Sequence, residues 1–301
     1  MAGAQLDMTC AACGVAGLRP WRRVGGEAGA EGLVPTTTSF GTALSDLVRC
    51  ARCGHGQLER FPSEAELAEA YGEAADSAYV GEEAGQRATA RVALAQIERQ
   101  VAPGRLLDLG CWVGFLLAEA RERGWHGVGV EPSAFAAGYA TERLGLEVHH
   151  DGLFEAALPE GVFDAVVMGD VIEHLPRPAD ALSRIATLSA PRAVLHLTLP
   201  DAGSRIARAM GARWWSVIPT HVQYFTRGSL VALLRRCGWQ PLWVGTAPKA
   251  FTVGYYLSRV GGYSAPLGRA LVGGATRAGL ADRLWAPDFR DRMAVVARAP
   301  A

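Results

Sequence analysis

Lysine is almost missing from this chain: of 30 basic residues Lys249 alone is a lysine, and the rest are arginines. Together with abundant alanine and glycine, that bias marks a GC-rich bacterial genome and says nothing of function. Also missing is any run of 18 or more apolar residues, so the sequence pattern offers no membrane-spanning helix. The opening MAGAQLDMTC has no basic segment and no apolar core, and a secretory leader is not expected. Net charge is absent too, with 30 basic against 30 acidic residues, which argues against a dedicated nucleic-acid binder. A cytoplasmic, reducing setting is the expectation, and there paired cysteines favour metal over disulfide.

What is present divides the 301 residues into three zones: a Gly-, Cys- and Thr-rich segment over 1–60, a helical linker over 61–102, and an α/β pattern over 103–301. Half the residues are apolar, enough for a sizeable core. In the linker, Ser63 and Glu66 have capping-box spacing after Pro62, with Leu67, Ala70 and Tyr71 as an apolar face. A second helix is expected over 84–101, with Val92, Ala95, Ile97 and Val101 at helical spacing. From Gly104 the short apolar runs RLLDLG, GVGVE, LEVHH, FDAVVMG and AVLHLTL read as buried strands. Helices are expected between them near 113–123, 133–144, 152–158 and 178–189. Such alternation implies a parallel sheet covered by helices on both faces. A helix from Ser229 to Cys237 and two late strands, QPLWVGTA and RMAVVARA, follow. The Gly-, Leu- and Arg-rich segment 251–287 between those strands is expected to be a helical insertion: packing on its own domain, a lid, an oligomer contact or a weak membrane-surface contact.

Four cysteines stand in two C-x2-C pairs, Cys10 with Cys13 and Cys50 with Cys53. Two such knuckles suit a closed, tetrahedral structural zinc site, and Gly14 and Gly54 each follow the second cysteine of a pair. The long gap between the pairs costs little, because loop closure grows slowly with length. His55 would be a fifth ligand and reads as a bystander. Cys111 and Cys237 read as core.

The stretch LLDLGCWVG places Asp108, Gly110 and Gly114 between an apolar strand and a helix. Gly110 permits the tight turn and Gly114 the close approach of helix to strand or ligand. Trp112 reads as a side chain at a position with no obligatory positive φ, shielding the ligand or packing under the loop. Glu131 ends the next strand in GVGVEPS, where an acidic side chain binds ribose hydroxyls in doubly wound domains. FDAVVMGDVIEHL then ends the fourth strand with Asp170, Glu173 and His174.

Taken with RMAVVARA, these segments resemble the class I S-adenosylmethionine-dependent methyltransferases over about residues 100–300. The four-cysteine module and helical linker extend the resemblance to bacterial methyltransferases of deoxysugar and surface-glycan pathways. It implies a Rossmann-like seven-stranded methyltransferase sheet with helices on both faces, plus a small N-terminal zinc-binding module. The implied cofactors are S-adenosylmethionine and Zn(2+). By similarity Asp108, Gly110 and Gly114 would frame the methionine part, Glu131 the ribose, Asp151 the adenine, and Asp170 would lie beside the methionine end.

Methyl transfer to a hydroxyl needs alignment and a base, and histidine suits the base near neutral pH. His221, in the loop IPTHVQYFTRGSL, and His174 are the candidates, ahead of His196 on a central strand and the tandem His149 and His150. Sugar C-methyltransferases with this zinc module carry a Tyr-x-Glu-His arrangement in that loop. Here Ile218, Thr220 and His221 stand in its place, and only the histidine matches, which favours O-methylation. Tyr71 and Tyr79 could line the acceptor site, and Trp214, Trp215 and Tyr224 could form an apolar wall. The expected acceptor is a small molecule or glycan, without nucleic acid, and the protein a monomer or homodimer. The alternatives are a C-methyltransferase of a keto-deoxysugar, a quinone-type O-methyltransferase, magnesium held by Glu173 and His174, and a non-enzymatic zinc-ribbon binding protein.

Overall fold

The computed structural model describes residues 6–24, 38–63, 66, 67, 71, 72, 74 and 76–300. Four short strands open the chain: β1 (Leu6–Thr9), β2 (Ala16–Arg22), β3 (Leu47–Cys50) and β4 (Gly56–Leu58). They pair antiparallel in chain order, and the sheet gains a fifth strand from far along the sequence, β10 (Gln223–Tyr224), at the β4 edge. Leu18, Leu47, Val48 and Leu58 are fully buried on this small sheet.

In the linker the Ser63–Glu66 capping box forms in both directions, with Glu66 N donating to Ser63 Oγ at 3.2 Å and Ser63 N to the Glu66 carboxylate at 2.7 Å. Residues 66, 67, 71 and 72 are helical, while Ala70 lies outside the described residues. The second linker helix runs Glu83–Glu98 and buries Gly85, Ala90, Leu94 and Ile97, successive steps of five, four and three residues, with Leu94 and Ile97 packed on the large sheet.

That sheet has seven strands: β5 (Arg105–Leu109), β6 (His126–Val130), β7 (Glu147–His149), β8 (Phe163–Gly169), β9 (Ser189–Pro200), β11 (Gln240–Thr246) and β14 (Arg292–Arg298). Their spatial order is β11-β14-β9-β8-β5-β6-β7. The chain starts in the middle, steps outward to β7, crosses back to β8 and continues to the other edge. The order reverses between β5 and β8, which opens a crevice at their carboxyl ends, where doubly wound sheets bind ligands.

The alternating strands β5 to β9 pair in parallel as expected, and among the two late strands β14 runs antiparallel to both neighbours. Its alternating partners bury both faces, so the apolar run MAVVA carries no sign of strand direction. One expected helix, 152–158, is corrected: it forms a single turn closed by Ala156 N donating to Gly152 O at 3.0 Å. Pro159 ends the stretch, and so few residues do not repay helix nucleation.

The helix expected from Ser229 starts slightly earlier, at Arg227, and runs to Arg236. It is capped reciprocally by Thr226 and Ser229. Residues 251–287 form two helices, Val253–Arg259 and Ala265–Arg277, whose ends are tied by the small β12–β13 ladder (Phe251–Thr252 with Leu284–Trp285). Leu267, Leu271, Leu284 and Trp285 are exposed on this excursion. Among the described residues, no helix is long and apolar enough to cross a membrane.

Candidate active site and cysteine cluster

The two C-x2-C pairs close on one another. Cys10 Sγ lies 3.6 Å from Cys53 Sγ and Cys13 Sγ 3.6 Å from Cys50 Sγ, and all four sulfurs lie within 4.8 Å of each other. A tetrahedral zinc with bonds of about 2.3 Å sets its sulfurs roughly 3.8 Å apart, so the donor set and its spacing fit that ion. Each pair makes the same turn: Gly14 N donates to Cys10 O and Gly54 N to Cys50 O, with φ of 73° and 74° at the two glycines. Contact with the Cys10 thiol and burial both push the Cys53 thiol up, a penalty that a bound cation removes by holding thiolates.

His55 bonds across the small sheet to β10 instead of joining the cluster. It is fully buried, its pKa is lowered to about 4 by burial, and its Nε2 lies 2.8 Å from Gln223 Oε1. Gln223 in turn donates from Nε2 to Leu175 O and Pro176 O. Leu58 N donates to Val222 O, and Val222 N donates to Glu173 O. A hydrogen-bonded path therefore runs from the second knuckle through β4 and β10 into the loops that carry Glu173, His174 and His221. Arg236 adds a clamp from the far side, donating to Ala11 O and Ala12 O in the first knuckle.

In the loop after β5 the backbone takes positive φ three times, at Gly110 (67°), Trp112 (49°) and Gly114 (81°). Trp112 thus departs from the expectation of an ordinary backbone. An L-residue in this region costs about 1–2 kcal/mol, and the compensation is visible: Trp112 N donates to Glu131 Oε2 at 2.8 Å. Ser133 N donates to the other carboxylate oxygen, Oε1, at 2.9 Å. Glu131 therefore ties the two strand-end loops together and faces the crevice between them. A Cβ on Gly110 would come within 2.6 Å of Val171 Cγ2, so that position tolerates no side chain. The Trp112 indole packs edge-on to Tyr79 and tilted against Phe135, at 6.4 and 6.1 Å between centroids.

Asp108 is buried behind this loop, and burial followed by the Glu131 charge pushes its pKa up to about 8. A cavity of about 770 Å³ extends from Glu131 and Asp151, past Gly110, Trp112 and Asp170, to His174, His221 and Trp215. All of the expected ligand-contacting residues line it except the buried Asp108 and Gly114. Asp108 lines a smaller adjoining cavity of about 170 Å³ with Trp112, Asp170 and His196. Gly114 instead approaches Ala140 and Leu146 in the core.

The far end of the large cavity gathers ionisable groups. His221 Nδ1 lies 2.8 Å from Ser216 O, and His174 Nδ1 lies 2.8 Å from Thr220 O and 2.9 Å from Tyr71 Oη. A carbonyl only accepts, so both rings carry their proton on Nδ1 and keep the Nε2 lone pair free. Burial holds both neutral; His221 is lowered to about 3, first by burial and then by His174. The two rings pack edge to face at 4.8 Å. Glu173 is buried with no partner for either carboxylate oxygen, and burial, then Asp170, raise it to about 8. Glu173, His174 and His221 each place one ligand-capable atom within 4.8 Å of the others.

Asp170 has φ of 58° and is gripped by Lys249 and Arg292. Although burial opposes ionisation, the two cations hold its carboxyl well below the usual range. The same pairing outweighs burial for Lys249 and keeps it charged.

A family model described as a methyltransferase domain matches residues 82–243. The chain belongs to the methyltransferase domain family. Among solved structures, a SAM-dependent methyltransferase from Archaeoglobus fulgidus superposes with a TM-score of 0.51 at 18% identity, covering 74% of this chain and all of that one. The Burkholderia thailandensis 1,6-didemethyltoxoflavin-N1-methyltransferase, solved with S-adenosylhomocysteine, superposes with a TM-score of 0.50 at 16% identity, covering 84% and 97%. At these identities the likeness establishes the fold.

Curated relatives include ubiquinone biosynthesis O-methyltransferases from Aeromonas salmonicida, 34% identical over 29% of this chain, and from Hahella chejuensis, 32% identical over 34%. The chain spans about two fifths of their length, 39% and 45%.

Within the methyltransferase domain, sequence reasoning missed Lys249 and Arg292, which come from outside the recognisable motifs. One signal for Lys249 was available in the composition, since it is the one lysine of the chain. Arg292 stood in view as the first residue of RMAVVARA. His196, read as core, is buried and bonded through Nε2 to Gln96 at 2.8 Å. Tyr71 reaches the site as a hydrogen-bonding group, while Tyr224 and Trp214 are buried in the core under the small sheet.

Proposed function

We propose that this methyltransferase moves the methyl group of S-adenosylmethionine to a hydroxyl of a ring-bearing small metabolite, with His221 as the base. The observation that carries the reading is one continuous cavity with a doubly anchored Glu131 at one end and two neutral histidines at the other. The cofactor, when bound, supplies an electrophilic methyl on sulfur. Glu131 would take the ribose hydroxyls, the Gly110–Gly114 loop the methionine end, and Asp151 the adenine side. His221 Nε2 would accept the hydroxyl proton as the acceptor oxygen meets the methyl carbon. The apolar walls formed by Tyr71, Phe251, Tyr255, Trp215 and Ile218 favour the face of a ring.

Those apolar walls and the O-methyltransferase relatives support a phenolic hydroxyl over the sugar first expected from the zinc module. The four-cysteine cluster is read as structural zinc: its coordination shell is complete without water, and it holds the His221 loop through β4 and β10. Titration of S-adenosylhomocysteine by calorimetry tests the cofactor reading, and absence of binding by the wild-type protein would overturn it.

A second reading rests on Glu173, His174 and His221 as a trio of divalent-metal ligands. The partnerless, buried Glu173 carboxylate favours it, and His221 supplies the third ligand that the sequence left open. Turnover that disappears on chelation and returns with magnesium, with the cysteine zinc retained, would establish this reading in place of the base.

A further inference from the structure

Two cations, one carboxylate and an apolar cavity make an unequal set at the acceptor end of the chamber. Lys249 and Arg292 arrive from separate parts of the fold, the segment after β11 and the first position of β14, and both contact the single carboxylate of Asp170. Neither reaches Glu173, whose oxygens have no hydrogen-bond partner. Arg292 keeps a further donor idle: its Nε is buried and without a partner. All four residues line the same cavity as His221 and Trp215.

The segment holding Lys249 is fixed in place. Tyr256 Oη donates to Lys249 O at 2.6 Å, Ala250 N donates to Thr89 Oγ1 at 2.9 Å, and Thr252 donates twice to the Glu82 carboxylate at 2.7 Å. A Cβ on Gly85 would stand 2.3 Å from Ala250 O, so the linker helix comes flush against this segment. Composition adds weight: in a chain that uses arginine at every other basic position, lysine stands at this one alone. A compact ammonium and a guanidinium fork side by side form a recognition set for a carboxylate or phosphate, the lysine as a point charge and the arginine by its planar donors. The two partly buried cations share the single carboxylate they contact, Asp170, and the idle Arg292 Nε leaves donor capacity that a ligand anion would complete. The strained, left-handed Asp170 fits a group held in place until such a ligand arrives.

We propose that Lys249 and Arg292 select acceptors carrying a fixed anionic group, a carboxylate or a phosphate, beside the hydroxyl that is methylated. This rests on the methyltransferase reading above and narrows its substrate class. The neutral compounds catechol and glucose would then be poor ligands, and their acidic counterparts good ones.

The test uses the full chain loaded with S-adenosylhomocysteine and follows binding by saturation-transfer NMR. The probes are catechol against 3,4-dihydroxybenzoate, and glucose against glucuronate and glucose 1-phosphate; the last two separate carboxylate from phosphate. At least one acidic probe is expected to bind tenfold or more tightly than its neutral counterpart. Lys249→Met and Arg292→Lys should each erase that preference while S-adenosylhomocysteine affinity stays within threefold. Lys249→Met guards against a fold defect from changing the strand residue, and circular dichroism checks both variants. Equal binding of acidic and neutral probes overturns the proposal. So does a large loss of S-adenosylhomocysteine affinity in Lys249→Met with the acid preference intact, because the cations would then serve the cofactor's own carboxylate. Failure of the wild-type protein to bind S-adenosylhomocysteine at all is a separate result, and it removes the reading on which the proposal stands.

Discussion

Replacing Glu131 by glutamine is the sharpest probe of the cofactor end, because it changes one charge and almost no volume. Both carboxylate oxygens accept a backbone N–H, from Trp112 at 2.8 Å and from Ser133 at 2.9 Å. A glutamine has one oxygen and one NH2, so in either orientation a donor is turned toward a donor. One buried N–H is left unpaired, a loss of about 1–3 kcal/mol in stability. The Trp112 amide is the more sensitive partner, since its φ of 49° is sustained by that bond.

On the ligand side, a ribose hydroxyl loses a charged acceptor worth roughly 1.5–3 kcal/mol. That corresponds to a weakening of about tenfold to a hundredfold. Calorimetry with S-adenosylhomocysteine and urea unfolding of the same Glu131→Gln protein read the two effects separately. An affinity within threefold of wild type would refute the assignment of Glu131 to the ribose, even if the unfolding midpoint falls as expected.

His221→Ala should keep S-adenosylhomocysteine affinity within about threefold and lose turnover by roughly a hundredfold or more; single-turnover kinetics decide it, and retained turnover moves the proton to His174 or elsewhere. For Gln223→Ala, which orphans His55 and two carbonyls of the loop after His174, the expected result is a raised acceptor KM with unchanged cofactor affinity. Removing zinc by chelation, or by Cys50→Ser, should lower the thermal midpoint and loosen the acceptor end first, measured by hydrogen exchange at residues 216–224. Stability of the ligand-free protein should depend on pH in both directions, and urea midpoints across pH 4–9 would show it. Below about 6.5 the unfolded chain takes up protons at His55, His196 and His221 that the fold refuses, so stability falls as pH drops. Above about 4.5 the fold retains protons on Asp108 and Glu173 that the unfolded chain releases, so their contribution declines as pH rises toward 8. A midpoint that is flat between pH 5 and 9 would contradict the buried, neutral state of these groups.

The parts of this protein that sequence displays well are those set by local pattern. Strand runs such as RLLDL and FDAVVMG, the glycine loop, Glu131 at a strand end and the two cysteine pairs all announce themselves within a few residues. What was hidden depends on contacts across long separations. β14 reverses direction without any change in its apolar pattern, because both its faces are covered. Gly152 to Leu158 has helix-forming residues, yet its length and Pro159 leave only a turn. Trp112 takes a left-handed backbone because an acceptor 19 residues away, the Glu131 carboxylate, holds its amide. Lys249 and Arg292 meet at Asp170 from positions 79 and 122 residues distant, and only the β-sheet order brings them together.

The antiparallel pairing of Gln57 with Gln223 and of Gly56 with Tyr224 joins residues that lie in separate zones of the sequence. Metal-binding free energy in a closed four-thiolate cluster is folding free energy for whatever the cluster organises. In this chain that includes the edge on which β10 forms, and therefore the resting position of the loop before it. If the four thiolates hold zinc, its supply would condition the placement of the loop before β10, at the far end of the cavity from Glu131. Under the proposed function, a cell short of zinc would then hold a protein whose cofactor end is intact and whose acceptor end is loosened, so metal status would show as a change in product and not in cofactor occupancy. Trimming the first 60 residues to obtain a smaller enzyme would leave β10 as a bare strand edge and Gln223 without His55.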